Sequence, residues 1–231
     1  MSGKSALIVG AGKGISASLA RLLAAEGYRV ALAARNTGKL AELVAETGAR
    51  AYAVDAAEPE AVVRLFEQVD TDLGVPELVV FNASARARGP VQDLDPAQVL
   101  ESLRVSAYAG FLVAQAAAVR MRVLGRGSIL LTGATASVKG LAGSTPFAMG
   151  KFALRGMAQS LARELAPQNI HVAHFVIDGG VASSWSKPGE EGPADKWLDP
   201  DAIAREYLHI HNQHRSAWTW EVELRPWVEK F

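Results

Sequence analysis

Short uncharged apolar runs alternate along the chain with longer stretches in which apolar residues recur every three or four positions. Several of the short runs lack internal alternation, which is typical of parallel strands that are covered on both faces. The predicted strands are residues 5–10, 29–34, 51–54, 78–82, 128–132, 171–177 and 218–224. The predicted helices are residues 15–26, 38–47, 59–71, 96–123, 147–165 and 200–211. This alternation predicts an α/β fold, a three-layer doubly wound parallel sheet in a single domain.

One stretch near the end of the chain follows neither period. Residues 183–198 are rich in Gly, Pro, Lys and Glu, and a loop of that length in a compact domain is often a lid or a disordered insert. The loop follows the carboxyl end of a predicted strand, where ligands bind in such sheets, so we favour a substrate lid. Residues 199–231 are then expected to supply a C-terminal helix, the last strand and a tail.

Composition and charge narrow the class of protein. The 231 residues are 49% hydrophobic, and 24 basic side chains balance 24 acidic ones. The balance argues against nucleic acid or an anionic membrane as a partner. The absence of cysteine excludes thiol catalysis and thiolate metal sites. We find no secretory signal and no apolar run of membrane-spanning length, since Gln115 interrupts the longest one, and we expect a cytoplasmic protein.

The junction of the first strand and the first helix carries the clearest chemical signal. It reads Val9-Gly10-Ala11-Gly12-Lys13-Gly14-Ile15-Ser16. Glycine lets a ligand lie against the main chain, and the N–H groups at the start of the following helix then face that ligand, which suits a phosphate. Because the glycines stand between a strand and a helix, the order predicts a dinucleotide site. A turn that needs glycine only for its backbone geometry is the alternative.

The end of the second predicted strand indicates which dinucleotide binds. Folds that bind NAD usually carry an acid there, whereas this chain carries Arg35 and no acid. A guanidinium can hold a 2′-phosphate through two charge-assisted hydrogen bonds, and Lys13 is expected to reach the same phosphate. We therefore predict NADP(H) rather than NAD(H), the alternative being that both residues are ordinary surface cations.

Three histidines near the end of the chain invite a metal interpretation. His209, His211 and His214 are spaced so that they do not share one helical face, and no cysteine or carboxylate pattern accompanies them. We therefore predict no metal site.

The glycine-rich junction resembles that of the short-chain dehydrogenase/reductase superfamily, and the resemblance runs over about residues 5–183. The family motif TGxxxGxG is matched at Gly10 and Gly14, while Val9 replaces its threonine and Ser16 its last glycine. A basic residue at the position of Lys13 marks the members that prefer NADP. The resemblance implies a Rossmann fold and an oxidoreductase of carbonyl and alcohol substrates.

Further positions of the resemblance concern the cofactor. Asp55 matches the acid that binds the adenine amino group, Asn82-Ala83-Ser84 matches the NAG segment, and Ser183 replaces the threonine near the nicotinamide amide. The cofactor-binding positions implied are Gly10, Gly12, Lys13, Gly14, Ile15, Arg35, Asp55, Asn82, Ala83, Lys151, Gly179, Val181 and Ser183.

The catalytic positions of the resemblance depart from the family pattern. Members use a Tyr-x-x-x-Lys helix, a serine and an asparagine, and the tyrosine hydroxyl passes the proton. Here Phe147 stands at the tyrosine and Lys151 at the lysine, while Ala134 replaces the serine and Ser106 the asparagine. Because Phe147 has no hydroxyl, three of the four usual groups are replaced.

Another group must supply the proton if the protein is an enzyme. We rank Ser144 first because it lies on the loop that enters the Phe147 helix, and Lys151 itself is a second candidate because a desolvated lysine changes its pKa readily. Other nearby hydroxyls are Thr132, Thr135, Ser137, Thr145, Ser106 and Tyr108. Hydroxyls in loops are more often caps and turn formers, which is the alternative for each.

These features predict an NADP(H)-dependent oxidoreductase that acts on a small carbonyl, alcohol or enoyl substrate with a non-standard proton donor. The catalytic candidates are Lys151, Ser144, Ser106 and Phe147. The alternative is a catalytically silent NADP(H)-binding sensor or assembly protein. The helices predicted at 96–123 and 147–165 resemble those that pair across the family's dimer axis, so we expect a homodimer or homotetramer.

Overall fold

The computed structural model describes residues 4–182 and 195–229. Within them, seven parallel strands form one sheet in the order β3-β2-β1-β4-β5-β6-β7. The strands are β1 Ser5–Val9, β2 Arg29–Ala34, β3 Arg50–Ala53, β4 Leu78–Phe81, β5 Gly127–Thr132, β6 Ile170–Ile177 and β7 Glu221–Leu224. The strand order reverses between β1 and β4, and in open sheets of this kind ligands bind in the crevice at that point.

Helices cover both faces of the sheet. They are α1 Ile15–Ala25, α2 Ala41–Thr47, α3 Pro59–Leu73, α4 Pro96–Leu103, α5 Ala109–Leu124, α6 Thr145–Leu165 and α7 Pro200–His211. In β1, Leu7 and Val9 face the core shared with α3, α5 and α6, whereas Ala6 and Ile8 face the core shared with α1, α2 and α7. Apolar residues on both faces explain why β1 has no polar alternation. The predicted three-layer doubly wound fold is confirmed.

The predicted helix 96–123 is divided in the structure. A π-helical turn, Arg104–Tyr108, separates α4 from α5. Two buried hydroxyls hold the turn in place: Ser102 Oγ donates to the carbonyl of Ala85 (3.0 Å), and the Ala85 N–H donates to Ser106 Oγ (3.1 Å). These bonds join residues far apart in sequence, so the helical period alone does not reveal the turn.

The continuous helical run Pro96–Leu124 is long and apolar enough to cross a membrane by length and composition, which corrects our expectation that no run reaches that length. Half of the residues in its most apolar 18-residue stretch are buried inside the fold, where α5 packs on β4 and α6. At Gly110 the packing is so close that an added Cβ would lie 2.7 Å from Leu154. A core helix passes the same test of composition, and this helix has the contacts of a core helix.

The last strand begins at Glu221, later than the predicted start at residue 218. The Thr219 N–H donates to the Gln213 side chain (2.8 Å), and the Trp218 ring stacks on His171 with centroids 4.6 Å apart. The segment before Glu221 is therefore shaped by these side-chain contacts. The nearby His211 lies between Ser128 Oγ (2.8 Å) and the Tyr28 hydroxyl (3.1 Å), which gives it a structural role.

The expected lid falls mostly outside the described residues. Residues 183–194 are not described, and they include Ser183 from the predicted cofactor set. The two ends of the segment meet, because Val181 and Leu198 form a parallel bridge and the Ala182 N–H donates to the Leu198 carbonyl (3.0 Å). Val181 and Leu198 therefore lie side by side beyond the carboxyl end of β6.

Candidate cofactor and substrate site

Two adjoining cavities lie at the carboxyl edge of the sheet, and Asn82 and Ser84 line both of them. We call the one beside β2 and β3 the first cavity and the one beside β5 and β6 the second cavity. Their volumes are about 410 Å³ and about 190 Å³. Together they follow the crevice where the strand order reverses, which is the expected place for a dinucleotide.

The first cavity has walls of backbone and small side chains, with two cations at its rim. Its lining comprises Val9, Gly10, Ala11, Ala33, Ala34, Arg35, Asn36, Lys39, Val54, Asp55, Ala56, Ala57, Asn82, Ala83, Ser84, Val105 and Ala109. The cations are Arg35 and Lys39, both exposed. We did not predict Lys39, although its place in the short 3₁₀ helix that follows β2 and Arg35 was a usable signal.

The glycine-rich turn is built for close approach. Gly10 has φ +83°, and a Cβ there would lie 2.3 Å from the Ala83 nitrogen, so the turn after β1 rests on the turn after β4. Gly14 has φ +86° and precedes α1, whose first N–H groups are free to bind a ligand. Residues with a side chain resist both conformations. The turn therefore fits the pyrophosphate of a dinucleotide.

Ser16 connects the glycine turn to the end of β4. The Asn82 side-chain amide donates to Ser16 Oγ (2.8 Å), and Ser16 Oγ approaches the Gly10 carbonyl (3.4 Å). These bonds connect α1, the glycine turn and the end of β4. They hold Asn82 at the junction of the two cavities.

Asp55 lines the first cavity and is anchored on both carboxylate oxygens. Its Oδ1 accepts from the Ala57 N–H (3.0 Å) and its Oδ2 from Arg104 (3.2 Å). Arg104 also pairs with Glu58 (2.7 Å) and Glu101 (2.8 Å). The Asp55 carboxylate is thus held in a defined orientation at the cavity wall.

The second cavity brings together two of the four predicted catalytic candidates, Lys151 and Phe147. Its lining comprises Lys13, Ile15, Asn82, Ser84, Arg86, Thr132, Gly133, Ala134, Phe147, Lys151, Ile177, Gly179 and Val181. Lys13 therefore lines a different cavity from Arg35, although we expected both to reach one phosphate. Ser106 and Ser144 are not among the described residues of this lining.

Lys151 is the buried cation of the second cavity. Its side chain is only 3% exposed, and Nζ donates to the Thr132 carbonyl (2.7 Å). Burial and the nearby charge of Arg86 lower the pKa of Lys151 from 10.5 to about 7. Both effects disfavour the charged form, so the amine is poised to change its protonation state near neutral pH.

Arg86 lies over the ring of Phe147. Its guanidinium carbon lies 4.3 Å from the centre of the Phe147 ring, and Lys151 Nζ lies 5.9 Å from the same ring. We did not predict Arg86 from the sequence. A signal was available, since two cations, Arg86 and Arg88, stand in the loop that begins at the carboxyl end of β4.

Several hydroxyls near the second cavity are engaged elsewhere. Thr132 Oγ1 and the Tyr207 hydroxyl share a buried hydrogen bond (2.9 Å). Ser106 is fully buried and bonded to Ala85, and Ser137 Oγ accepts from the Ala134 N–H (3.1 Å). Ser144 caps the start of α6 by position, and its side chain makes no capping bond.

A partly buried ion pair, Arg155 with Glu221, lies next to the buried His174, which contacts the second cavity at Gly133. Arg155 forms two hydrogen bonds with Glu221 (2.6 and 2.7 Å), and Glu221 also contacts His174 Nδ1 (3.0 Å). Burial lowers the pKa of His174 to about 4 despite the Glu221 carboxylate. A Cβ at Gly133 would lie 2.3 Å from His174 Nε2, so only glycine lets β5 end against this histidine.

Comparison with known proteins places the chain in a family. Residues 4–191 match the family of short chain dehydrogenases. A 3-oxoacyl-[acyl-carrier-protein] reductase of Bos taurus is 29% identical over 182 residues, which are 78% of this chain and 76% of the relative.

Solved structures agree over almost the whole chain. A short-chain dehydrogenase from Rhodopseudomonas palustris has a TM-score of 0.85 at 36% identity and covers 97% of this chain and 99% of its own. A metagenomic short-chain oxidoreductase in complex with NADP has a TM-score of 0.84 at 27% identity, with 96% and 97% covered. The Rossmann-type sheet, the crevice at its switch point and these matches lead to one conclusion: the chain belongs to the short-chain dehydrogenase family of oxidoreductases.

Proposed function

We propose that this protein is a cytoplasmic NADP(H)-dependent oxidoreductase that acts on a small carbonyl, alcohol or enoyl substrate and uses Lys151 as its proton donor. The observation that carries the proposal is the buried Lys151 amine beside Phe147 in the second cavity, which shares Asn82 and Ser84 with the first cavity. The relatives include an oxidoreductase solved with NADP and a reductase of 3-oxoacyl groups, which supports the reaction class.

The residues of the first cavity suit the adenosine half of NADPH. Arg35 and Lys39 are two cations at the end of β2 with no acid in the same turn, so they can hold a 2′-phosphate. The N-terminus of α1 and the glycine turn face the pyrophosphate, and Asp55 is expected at the adenine. Bound there, NADPH supplies a hydride to the substrate carbon.

Lys151 is our choice of proton donor on geometric grounds. It lines the second cavity, whereas Ser144 is not among the described lining residues and Ser106 is committed to Ala85. With a pKa of about 7, the Lys151 ammonium gives up a proton readily at neutral pH. It donates that proton to the oxygen of the reduced carbonyl and recovers one from solvent.

The experiment is a titration of the protein with NADPH and with NADH, followed by steady-state assays with a panel of small ketones, aldehydes and enoyl thioesters. We expect tighter binding of NADPH and turnover of at least one class. Lys151→Met should lower kcat by about 10²–10⁴-fold, the usual contribution of a positioned acid–base group. Cofactor binding without turnover across the whole panel would argue against an enzyme.

A silent cofactor-binding protein is the second candidate, and Phe147 and Ala134 favour it because neither offers a hydroxyl to the second cavity. The double substitution Phe147→Tyr with Ala134→Ser separates the two proposals. New activity in a chain that had none would support the silent interpretation. Native activity that the double variant leaves intact and Lys151→Met abolishes would support the enzyme.

We also propose a homodimer or homotetramer. Exposed apolar side chains lie on or beside α4, α5 and α6: Leu100, Tyr108, Phe111, Val119, Val123, Met149 and Phe152. Surfaces of this kind mark protein–protein contacts. Light scattering should report a multiple of the chain mass, and Phe111→Glu with Phe152→Glu should reduce it.

A further inference from the structure

The π-helical turn between α4 and α5 contributes to several parts of the cofactor crevice. The Ala109 N–H donates to the Arg104 carbonyl five residues earlier, so the turn holds one residue more than an α-helical turn. Val105 and Ala109 line the first cavity, and Ser106 Oγ accepts from the Ala85 N–H in the loop after β4. Turns of this kind are rare and are frequent at functional sites. Its first residue, Arg104, has the most extensive contacts.

The Arg104 guanidinium joins the π-helical turn to the segment between β3 and α3. Its Nη2 donates to Asp55 Oδ2 (3.2 Å), its Nη1 to Glu58 Oε1 (2.7 Å) and its Nε to Glu101 Oε2 (2.8 Å). Nη1 also approaches the Ala57 carbonyl (3.4 Å). Because the guanidinium is a planar, rigid fork, three carboxylates around it define its plane, and it restrains each of them in return.

Asp55 is the one acid of these three that belongs to the described lining of the first cavity. Its Oδ1 accepts from the Ala57 N–H (3.0 Å), and its Oδ2 accepts from Arg104. A carboxylate offers about four lone-pair sites, and these two bonds use two of them. The side chain keeps 35% of its surface exposed. Asp55 is therefore a restrained acceptor that can still bind an N–H group of a ligand.

Arg104 affects a ligand of the first cavity through Asp55. The described lining of that cavity does not include Arg104, although it includes Asp55 and Val105. Hydrogen bonds to Glu101 and Glu58 raise the pKa of Arg104 above its already high value, so the guanidinium stays charged. Without this cation, three carboxylates would surround one point, and their mutual repulsion would release Asp55 from its present orientation.

We propose that Arg104 is a positioning residue for the cofactor: it fixes Asp55 as a hydrogen-bond acceptor, and the protein thereby selects a dinucleotide whose base carries an amino group. This inference rests on the proposed function, in which Asp55 is expected at the adenine. The exocyclic amino group of adenine donates to a carboxylate. Hypoxanthine has nearly the same size and carries a carbonyl oxygen at the same place, which a carboxylate repels.

The experiment compares NADPH with its hypoxanthine analogue by fluorescence titration of the full chain, and it reports the ratio of the two dissociation constants. We expect the wild type to bind NADPH about tenfold more tightly, as one charge-assisted hydrogen bond at a partly exposed site allows. Arg104→Met should lower this preference to less than about threefold, because Asp55 loses its fixed orientation. A merely structural role would weaken both cofactors alike and leave the ratio unchanged.

Two further variants test whether Arg104 acts through Asp55. Arg104→Lys keeps the charge among the three acids without the rigid fork, so it should fold and show an intermediate ratio. Asp55→Ala should abolish the preference for NADPH. Arg104→Met should then lower the ratio no further in the Asp55→Ala background, because residues that act in series are not additive.

Arg64→Met is the matched control. Arg64 forms an exposed ion pair with Glu60 on α3 (3.4 Å) and does not belong to the described lining of the first cavity. It should keep the wild-type ratio, as expected for a surface pair. Weaker binding of both cofactors by Arg104→Met at an unchanged ratio would overturn the proposal. If that variant does not fold, an unchanged ratio in Arg104→Lys would overturn it.

Failure of this inference and failure of the proposed function give different results. If the wild type binds NADPH and its hypoxanthine analogue equally well, the proposed function stands and the inference fails. If it binds neither, the proposed function fails, and titration of the same variants with AMP and IMP tests the choice of base. Equal binding of these two nucleotides, or no binding, overturns the inference. If NADPH is preferred through Arg104 and no substrate is reduced, the inference stands and the reaction does not.

Discussion

The two cavities of the crevice are built by different means. The first is lined by backbone, alanines and the glycine turn, with its charges at the rim. The second is lined by Phe147, Lys151 and Arg86, which come from α6 and from the loop after β4. The first cavity is therefore specified by short stretches that contact a ligand through the main chain. The second depends on side chains that distant elements bring together.

The largest effect should come from the backbone of the first cavity. Gly10→Ala places a Cβ 2.3 Å from the Ala83 nitrogen at φ +83°. Overpacking and the unfavourable backbone angle should together destabilise the fold by about 2–5 kcal/mol. Gly12→Ala is the control, because an added Cβ there meets nothing within 4 Å.

Thermal unfolding and NADPH titration measure both variants. Gly12→Ala should keep wild-type stability and lose affinity for NADPH, because only a ligand would contact the added methyl. Equal stability of the two variants would contradict the close packing between the turns after β1 and β4.

A smaller effect should distinguish the cations of the two cavities. Arg35→Ala should weaken NADPH binding by about 10–100-fold and leave NADH binding nearly unchanged, since a charge-assisted bond to the 2′-phosphate is lost. Lys13→Ala should affect both cofactors alike, because Lys13 lines the second cavity. Fluorescence titration with each cofactor measures the ratio, and a selective loss of NADPH in Lys13→Ala would reassign the phosphate.

The pH dependence of the free energy of unfolding should report the lowered pKa of Lys151. Its pKa falls from 10.5 in the unfolded chain to about 7 in the fold, so between these values the unfolded state binds more protons. Stability then rises as pH increases from about 7 to about 10, and below pH 7 this contribution is constant. Arg86 keeps its charge over this range and His174, with a pKa of about 4, stays neutral, so neither reverses the sign.

We expect the melting temperature of the wild type to gain on the order of 5 °C relative to Lys151→Met between pH 7 and pH 9. Lys39→Met, which removes an exposed lysine, should show no such pH-dependent difference from the wild type. Parallel curves for the wild type and Lys151→Met would show that the amine titrates as it does in water.

The smallest effect concerns Ser144. Because it is not among the described lining residues of the second cavity, Ser144→Ala should change kcat by less than about threefold. Ser84→Ala, at a hydroxyl that lines both cavities, is the informative comparison. A loss of 10²-fold or more in Ser144→Ala would return the role of proton donor to this serine.

Local patterns predicted the strands closely. Predicted strands 29–34 and 171–177 agree with β2 and β6 to within one residue at each end. Parallel strands that are buried on both faces are near-continuous apolar runs, so their positions can be predicted from the sequence alone. The predicted start of β7 was three residues too early. Trp218 and Thr219 are residue types typical of strands, but contacts with His171 and Gln213 hold them outside the strand.

Some residues of the candidate site could likewise be predicted from the sequence, and others could not. The strand–turn–helix order around β1 predicts Gly10 and Gly14, and the end of β2 predicts Arg35. Each of these residues lies within a few positions of a strand end, so a local pattern is enough to select it. Arg86 and Lys39 each carried a local signal that we did not use, because they stand in the loops after β4 and β2. The bond between Ser16 and Asn82 joins residues 66 positions apart, so no local pattern predicts it. Their roles depend on which loops meet at the edge of the sheet.

The sequence was enough to predict the doubly wound sheet, because its buried strands are near-continuous apolar runs that alternate with helical patterns. It was enough to predict the glycine turn, because the glycines stand between a strand and a helix. The oxidoreductase class followed from the resemblance to a known family. Folding alone decided that Lys13 and Arg35 face separate cavities, that Ser102 and Ser106 clamp Ala85, and that Arg86 lies over Phe147 beside a buried Lys151. These pairings join β4, α4, the π-helical turn and α6 across the sheet edge. Their energies depend on burial and on charge separation, which no single stretch of sequence encodes.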